Sequence, residues 1–233
     1  QRSLGRDVAV KHLRSGSAAT SASGHALLAE ARATGALEHP TIVPVHALGV
    51  DDQGSPLLVM KRVEGASLAA LLADPAHPAW PDLERRHGDR LAAELDVLVR
   101  VADALHFAHS RGFIHRDVKP ENVMVGSFGE VYLLDWGLAV RPSKLEPSDR
   151  ESICIVGTPG FLAPEMVAGD PSLVDARTDV YLLGGTLHAI LTRRARHAGE
   201  NLRQILVAAV LSEPFAHDPS VPGELAALAN DST

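Results

Sequence analysis

The segment FIHRDVKPENVMV, residues 113–125, limits the possible folds of this chain more than any other part of it. Five side chains of different chemistry are confined there between apolar residues: His115, Arg116, Asp117, Lys119 and Asn122. Ordinary loops are polar, but they rarely combine a carboxylate, an amide, an imidazole and two kinds of cation in so short a span. The segment therefore indicates a functional loop, and its meaning depends on what the rest of the chain supplies.

The residues before this loop have the patterns of a small sheet with one helix. Valine-rich alternation over residues 7–13 predicts a strand, and residues 26–37 have helical spacing. Residues 41–50 and 56–63 predict two further strands, joined by the turn sequence DDQGS.

The rest of the chain has mostly helical patterns. Apolar residues at helical spacing predict helices over residues 91–112, 178–192 and 201–211. The proline-rich segment 73–89 is predicted to be an irregular excursion, and VMV and EVYLLDW are predicted to be short strands. This order predicts an α+β fold with a small sheet-rich lobe and a larger helical lobe.

The composition argues against several classes of protein. A net charge of −7 disfavours a nucleic-acid binder, which usually carries a basic patch. No apolar run reaches the length of a membrane-spanning helix. The single cysteine, Cys154, excludes an internal disulfide framework and fits a reducing compartment, and no His or Asn signature beside it indicates a nucleophile.

The polar residues of the loop have the chemistry that phosphoryl transfer requires. Asp117 could act as a base toward a substrate proton, and Asn122 could offer its carbonyl oxygen to a cation. Lys119 could place a positive charge near a developing anion. In phosphoryl transfer, positioning and charge neutralisation do most of the catalytic work.

Three further residues complete this set. Asp135 ends an apolar strand in LLDWGL, and its carboxylate suits Mg²⁺ coordination. Lys11 ends the strand VAVK, and Glu30 on the next helix could pair with it. A strand lysine held in this way could grip phosphate oxygens.

In this order the motifs make the chain resemble a protein kinase, specifically the eukaryotic-type serine/threonine kinases of bacteria. The family's signature set stands here as Lys11, Glu30, HRD at 115–117 with Asn122, DWG at 135–137, and APE at 163–165. HRDVKPEN and GTPGFLAPE are each long, and chance rarely produces both in order with DWG between them. The resemblance covers almost the whole chain.

The resemblance implies roles for these residues. Asp117 would accept the substrate hydroxyl proton, with Lys119 and Asn122 as the other catalytic residues. Asn122 and Asp135 would bind Mg²⁺. The residues implied to bind ATP are Lys11, Glu30, Met60, Lys61, Val63, Met124 and Asp135. Met60 would guard the back of the adenine pocket, and residues 61–63 would offer it backbone hydrogen bonds.

The resemblance also implies how the loop is supported and controlled. GTPGFLAPE, residues 157–165, would face the protein substrate, with Thr158 touching the catalytic loop. Asp179 would brace that loop from below. Arg116 suggests control by loop phosphorylation, because an arginine can pair with a phosphate. Ser148 and Ser152 are the candidate acceptors for autophosphorylation.

Three departures from the family pattern stand out. The glycine-rich loop that should precede Lys11 is missing, since only Gly5 stands there. The final helices, with an arginine that pairs with the equivalent of Glu165, are also expected to be missing. Trp136 replaces the usual phenylalanine, and its indole N–H would need a partner if buried.

These expectations define one kinase domain over residues 1–233. It would comprise a partial small lobe over 1–62, a hinge region over 63–68, and a large lobe over 69–233 that lacks its last helices. It would transfer the γ-phosphoryl group of ATP–Mg²⁺ to serine or threonine in protein substrates, in the cytoplasm or as the cytoplasmic domain of a longer protein. We expect no nucleic-acid partner and no membrane contact within this chain.

Several alternatives stay open. The main one is a pseudokinase or scaffold module, or an inactive fragment, because the glycine-rich loop is missing. A small-molecule phosphotransferase is another, although GTPGFLAPE favours a protein substrate. His106 and His109, three residues apart on a predicted helix, could suggest a metal site, but the sequence offers no third ligand.

Overall fold

The computed structural model of the chain describes residues 1, 4–13, 22–142, 156–169 and 171–233, and only the backbone of Ala22 and Pro171. The candidate phosphate acceptors Ser148 and Ser152 lie outside the described residues, as does Cys154.

The first lobe is built on an antiparallel sheet in the order β1-β3-β2. The strands are β1 (Val8–His12), β2 (Val45–Val50) and β3 (Pro56–Lys61). Helix α1 (Ala22–Gly35) lies against them, and its Leu27 and Ala31 pack with Leu58 of β3 in a small apolar cluster. This packing fixes the helix relative to β1, whose Lys11 stands opposite Leu58.

Residues 41–44 leave the sheet and reach the other lobe, although a strand was predicted over 41–50. The backbone N–H of Leu133 donates to the Thr41 carbonyl oxygen at 2.7 Å, and Ile42 forms a parallel bridge with Leu133. Pro44 has no N–H to give to a ladder, so the regular strand begins at Val45.

The second lobe is mainly helical and contains the larger core. Its helices are α2 (Leu68–Ala73), α3 (Trp80–His87), α4 (Arg90–Ser110), α5 (Pro164–Ala168), α6 (Ala176–Thr192), α7 (Leu202–Leu211) and α8 (Gly223–Asp231). A second antiparallel sheet, in the order β4-β5-β6, consists of β4 (Gly65–Ser67), β5 (Val123–Gly126) and β6 (Val131–Leu133). The predicted α+β, two-lobed architecture is confirmed.

Helix α3 contradicts the predicted irregular excursion over residues 73–89. Pro81 stands in the first turn of the helix, where a missing N–H costs nothing because that group has no partner within the helix. Trp80 and Leu83 are buried, and the indole N–H of Trp80 donates to the Asp74 carbonyl oxygen at 3.1 Å. Pro81 is therefore compatible with the first turn of this helix, which begins at Trp80.

Helix α8 was not predicted from the sequence. It buries Ala229, and the residues that follow it reach α6: a Cβ on Gly184 would come within 2.5 Å of the Ser232 Cβ. Among the described helices, none combines the length with the hydropathy that crossing a bilayer requires.

Candidate active site

Hydrogen bonds anchor the loop at residues 113–125 to one buried carboxylate on α6. Asp179, with no exposed surface, accepts hydrogen bonds from the backbone N–H groups of His115 and Arg116 at 2.8 and 2.9 Å. Its Oδ2 also lies 2.7 Å from Nε2 of His109 on α4. Arg116 has a φ of 68°, a conformation that costs an L-residue about 1–2 kcal/mol. Asp179 holds the backbone where that strain occurs.

His115 fixes the loop from the other side. Its Nδ1 accepts from the Asp117 N–H at 3.2 Å, and its Nε2 donates to the Leu134 carbonyl oxygen at 3.1 Å. These two bonds need the neutral tautomer with the proton on Nε2. Complete burial lowers the pKa of His115, which favours the same neutral form. The imidazole therefore acts as a structural strut between Asp117 and Leu134.

The Asp117 carboxylate gathers the other polar groups of the loop. Lys119 Nζ lies 2.6 Å from its Oδ2, and the Asn122 amide nitrogen donates to the same oxygen at 2.8 Å. The hydroxyl of Thr158 donates to Oδ1 at 3.1 Å and accepts from Lys119. The three predicted catalytic residues thus meet at one carboxylate, and Thr158 touches the loop.

Asp135 meets the small lobe at the other side of the site. Its Oδ1 lies 3.1 Å from Lys11 Nζ and accepts from the Gly137 N–H at 3.4 Å. Burial alone would raise the pKa of Asp135, but Lys11 and Gly137 outweigh burial and lower it. The lowered pKa favours the ionised carboxylate. Asp135 also has a φ of 58°, so its backbone is strained.

Lys11 is gripped by Glu30. The lysine Nζ lies 2.7 and 2.8 Å from the two carboxylate oxygens of Glu30, which is 6% exposed. Burial raises the pKa of Glu30, and the ammonium of Lys11 opposes that rise. A Cβ on Gly137 would stand 3.1 Å from Asp135 Oδ1 and 3.3 Å from Glu30 Oε2, so this close approach favours glycine.

Leu134 joins the two halves of the site. Its backbone N–H donates to the backbone carbonyl oxygen of Asn122 at 2.8 Å, and its backbone carbonyl oxygen accepts from the His115 ring. Because Leu134 directly precedes Asp135, these bonds bring the Asp117 and Asp135 halves to one place.

Three of the remaining predicted nucleotide-binding residues lie on strands, Met60 and Lys61 on β3 and Met124 on β5. Met60 stands opposite Ala9 in the first sheet, and Met124 stands opposite Tyr132 in the second. Lys61 donates its side-chain amine to the Tyr132 hydroxyl, a contact that its sequence did not suggest. Val63 is half-buried just before β4.

Two side chains of the site carry buried nitrogen atoms with no partner among the described residues. One is the indole N–H of Trp136, whose ring packs edge-on against His115 with centroids 4.5 Å apart. The other is Nη1 of Arg116, whose Nε donates to the Leu138 carbonyl oxygen at 2.7 Å. Glu165, expected to lack an arginine, instead accepts from the Thr178 hydroxyl at 2.6 Å.

Oxygen ligands for a cation are available at Asn122 and Asp135. The hydrogen bonds of the Asn122 side chain use its amide nitrogen, so the side-chain oxygen Oδ1 is the atom that could bind a cation. Nowhere among the described residues do three His, Cys, Asp or Glu side chains form a metal cluster. Two protein oxygens suit a divalent cation whose other ligands are phosphate and water. The ring of His109, which the sequence paired with His106 as a possible metal site, instead lies 2.7 Å from Asp179 Oδ2.

His109 was the main functional residue that the sequence did not identify. Only its spacing from His106 attracted attention, and that suggested a metal. The signal that matters is its contact with Asp179, seventy positions away in the chain.

Comparisons with known proteins show which family the chain matches. The chain matches the family described as "Protein kinase domain" over residues 1–222. It is 32% identical over 233 residues to the probable serine/threonine-protein kinase SCO3848 of Streptomyces coelicolor, covering 97% of this chain and 32% of that protein. It is 34% identical over 215 residues to the serine/threonine-protein kinase PknB of Mycobacterium tuberculosis, covering 91% and 32%.

A third relative is the probable serine/threonine-protein kinase CE0033 of Corynebacterium efficiens, 34% identical over 215 residues, which covers 91% of this chain and 30% of the relative. The chain therefore spans about a third of the length of the curated relatives it matches.

Proposed function

The chain belongs to the protein kinase family, and from that premise we propose that it transfers the γ-phosphoryl group of ATP to serine or threonine hydroxyls of protein substrates. The observation that carries the proposal is the junction at Leu134, where the Asp117 half and the Asp135 half of the site meet. A family fold with the polar residues scattered would not support catalysis.

Each half would have its own task. Asp117 would receive the proton of the attacking hydroxyl, and Lys119, already 2.6 Å away, would stabilise the transferred phosphoryl group. Thr158 ties the substrate-facing segment to the same carboxylate. Lys11, held by Glu30, would bind the ATP phosphates.

The family implies a divalent metal with ATP, and we propose Mg²⁺. Asn122 and Asp135 would hold it, since hard oxygen ligands with few protein donors suit Mg²⁺ better than the softer transition metals. When bound, the ion would neutralise charge on the phosphates. The ionised state of Asp135, maintained by Lys11, keeps this carboxylate available for the metal.

We propose a cytoplasmic location for the domain, because the proposed reaction uses ATP and the single cysteine of the chain fits a reducing compartment.

Phosphate transfer from ATP to serine, threonine and tyrosine peptides tests the proposal. We expect transfer to serine and threonine in the wild type and a loss of at least about 100-fold in Asp117→Asn. Asp82→Asn, a change of an exposed carboxylate on α3, is the matched control. Equal rates in the wild type and Asp117→Asn would favour the pseudokinase alternative instead.

Arg116 supports a second element of the proposal, control by autophosphorylation. Its buried guanidinium has no carboxylate partner among the described residues, and Nη1 is unpaired. A phosphate would supply the missing charge and acceptor. Mass spectrometry after incubation with ATP should find phosphate on Ser148 or Ser152, and a spectrum with no phosphate between residues 140 and 158 would remove this element.

A further inference from the structure

A cavity of about 500 Å³ opens along α7, where Val207, Ala208 and Leu211 form its apolar lining. Its polar lining comes from Arg196, His197, Asn201, Arg203, Gln204 and Glu213. None of these residues belongs to the motifs of the site described above.

Arg196 is the unusual member of this cavity. It is only 8% exposed, and its Nε and Nη2 donate to the Thr233 hydroxyl at 3.0 Å and to the Glu213 carbonyl oxygen at 2.7 Å. No carboxylate of the described ranges lies within ion-pair distance of it. A buried guanidinium held by neutral acceptors alone keeps an uncompensated charge, which attracts an anion.

The other charges around the cavity leave it positive. Arg203 has no ion pair with any carboxylate that the structure describes. Burial, with Arg196 nearby, lowers the pKa of His197 to about 4, so the imidazole is neutral at pH 7. Glu213 supplies the single negative charge of the lining and is exposed. Two arginines against one glutamate give a local excess of positive charge in a chain whose net charge is −7.

One residue of the cavity lining, His197, also contacts the segment GTPGFLAPE. The N–H of His197 donates to the Gly160 carbonyl oxygen at 2.9 Å, and its Nε2 donates to the Leu162 carbonyl oxygen at 3.1 Å. A Cβ on Gly160 would come within 2.9 Å of the Ala195 Cβ. His197 therefore joins the cavity to the segment expected to face the protein substrate.

We propose that this cavity is a subsite for an acidic side chain of the protein substrate, bound by Arg203 at its mouth and Arg196 inside it. The inference rests on the proposed function, since it assigns the substrate preference of the same site. It predicts that the protein favours serine and threonine acceptors with a glutamate or aspartate at a particular spacing. Glu213 acts against this preference, because its carboxylate competes for the same cations.

The test uses serine peptides in which one glutamate is moved through successive positions on either side of the acceptor, each compared with its glutamine counterpart. Binding is measured by fluorescence anisotropy of labelled peptides, and phosphoryl transfer is measured on the same set. At one position we expect the glutamate peptide to bind about tenfold more tightly, as expected for a charge-assisted hydrogen bond to a partly buried cation.

Charge-reversing variants give the sharper readout. Arg203→Glu should reverse the preference at that position, so that the glutamine peptide binds better. Glu213→Gln should enlarge the preference for glutamate. Arg85→Glu, the same charge change on an exposed residue of α3, is the matched control and should leave the ratio unchanged.

The outcomes separate the two proposals. Equal binding of every glutamate and glutamine pair, or a ratio that Arg203→Glu and Arg85→Glu change alike, would overturn the subsite, even if the peptides are phosphorylated. A glutamate preference that Arg203→Glu reverses would support the subsite even if no peptide is phosphorylated, and only the proposed kinase activity would then fail.

Discussion

Asp179→Asn is the change that most directly tests how the loop at residues 113–125 is held. The native carboxylate has two oxygens and accepts three hydrogen bonds, from the N–H groups of His115 and Arg116 and from His109 Nε2. Asparagine keeps the shape but has one oxygen, and its amide group is a donor. In either orientation of the amide, an N–H₂ group faces at least one N–H, and the charge is lost.

The expected cost follows from the number of donors left without an acceptor. The remaining oxygen serves one side of the site, so one or two buried donors lose their partner, each at about 1–3 kcal/mol. The loss of charge assistance adds to this, so we expect the free energy of unfolding to fall by about 3–5 kcal/mol. That is a large share of the roughly 5–15 kcal/mol by which a native domain is stable.

Urea denaturation of the wild type and Asp179→Asn measures this difference as a shift in midpoint at constant slope. His109→Leu, which removes only one of the three donors, should cost less than Asp179→Asn. Asp82→Asn, at an exposed ion pair on α3, should change the free energy of unfolding by about 0–1 kcal/mol. If Asp179→Asn costs less than about 1 kcal/mol, the carboxylate does not hold the loop, and the role assigned to it here is wrong.

Three further predictions concern Lys11 and Gly137 in the candidate site and the buried His188 on α6. Lys11→Met should lower kcat/KM for ATP by at least about 100-fold, because the phosphates lose a cation and Glu30 loses its partner; a smaller effect in steady-state kinetics would contradict its role. Gly137→Ala should lower activity roughly tenfold, because the added Cβ would lie 3.1 Å from Asp135 Oδ1 and displace it by less than the 1 Å that costs about 100-fold. Unchanged kinetics would show that the neighbouring side chains move aside without a loss of activity. His188 is buried, with its pKa lowered to about 4 by burial and by neighbouring cations, while an unfolded histidine titrates near 6.5. The unfolded chain therefore binds the extra proton first, and stability should fall as the pH drops from 6.5 toward 4, by up to about 3 kcal/mol. His197, whose pKa is also lowered to about 4, titrates over the same range, so His188→Leu should remove about half of this dependence in urea titrations. An equally steep profile would place the titrating group elsewhere.

The local part of the fold could be predicted because its signals are local. Alternation marked β1 and β3, and helical spacing marked α4 and α6 to within a few residues. The candidate site residues were predicted from the order of motifs, since Asp117 and Asp135 stand in segments whose spacing is typical of a family. None of this required knowledge of which atoms meet.

Tertiary contacts explain what sequence reasoning missed. The prolines near Trp80 suggested an irregular segment, but burial of that side chain and the position of Pro81 in the first turn favour a helix. The contact of His109 with Asp179 joins two helices, and no pattern along either helix reveals it. The same holds for the tie between Lys61 and Tyr132, which links the lobes.

The residues with a strained backbone fall into two groups, those that end a helix and those in the candidate site. Four non-glycine residues among the described ranges have a positive φ: Arg116, Asp135, Arg193 and Ser212. Arg193 and Ser212 follow α6 and α7 directly, where a left-handed residue commonly ends a helix and satisfies its last carbonyl groups.

Arg116 and Asp135 end no helix, so their conformations need another cause. Each costs about 1–2 kcal/mol and persists only because surrounding contacts enforce it. Asp179 supplies those contacts for Arg116, and Lys11 with Gly137 supplies them for Asp135. Both strained residues belong to the motifs that carry the two site carboxylates. The backbone strain is thus concentrated at Asp135 and next to Asp117, and the phosphoryl transfer proposed above would depend on the orientation of both carboxylates.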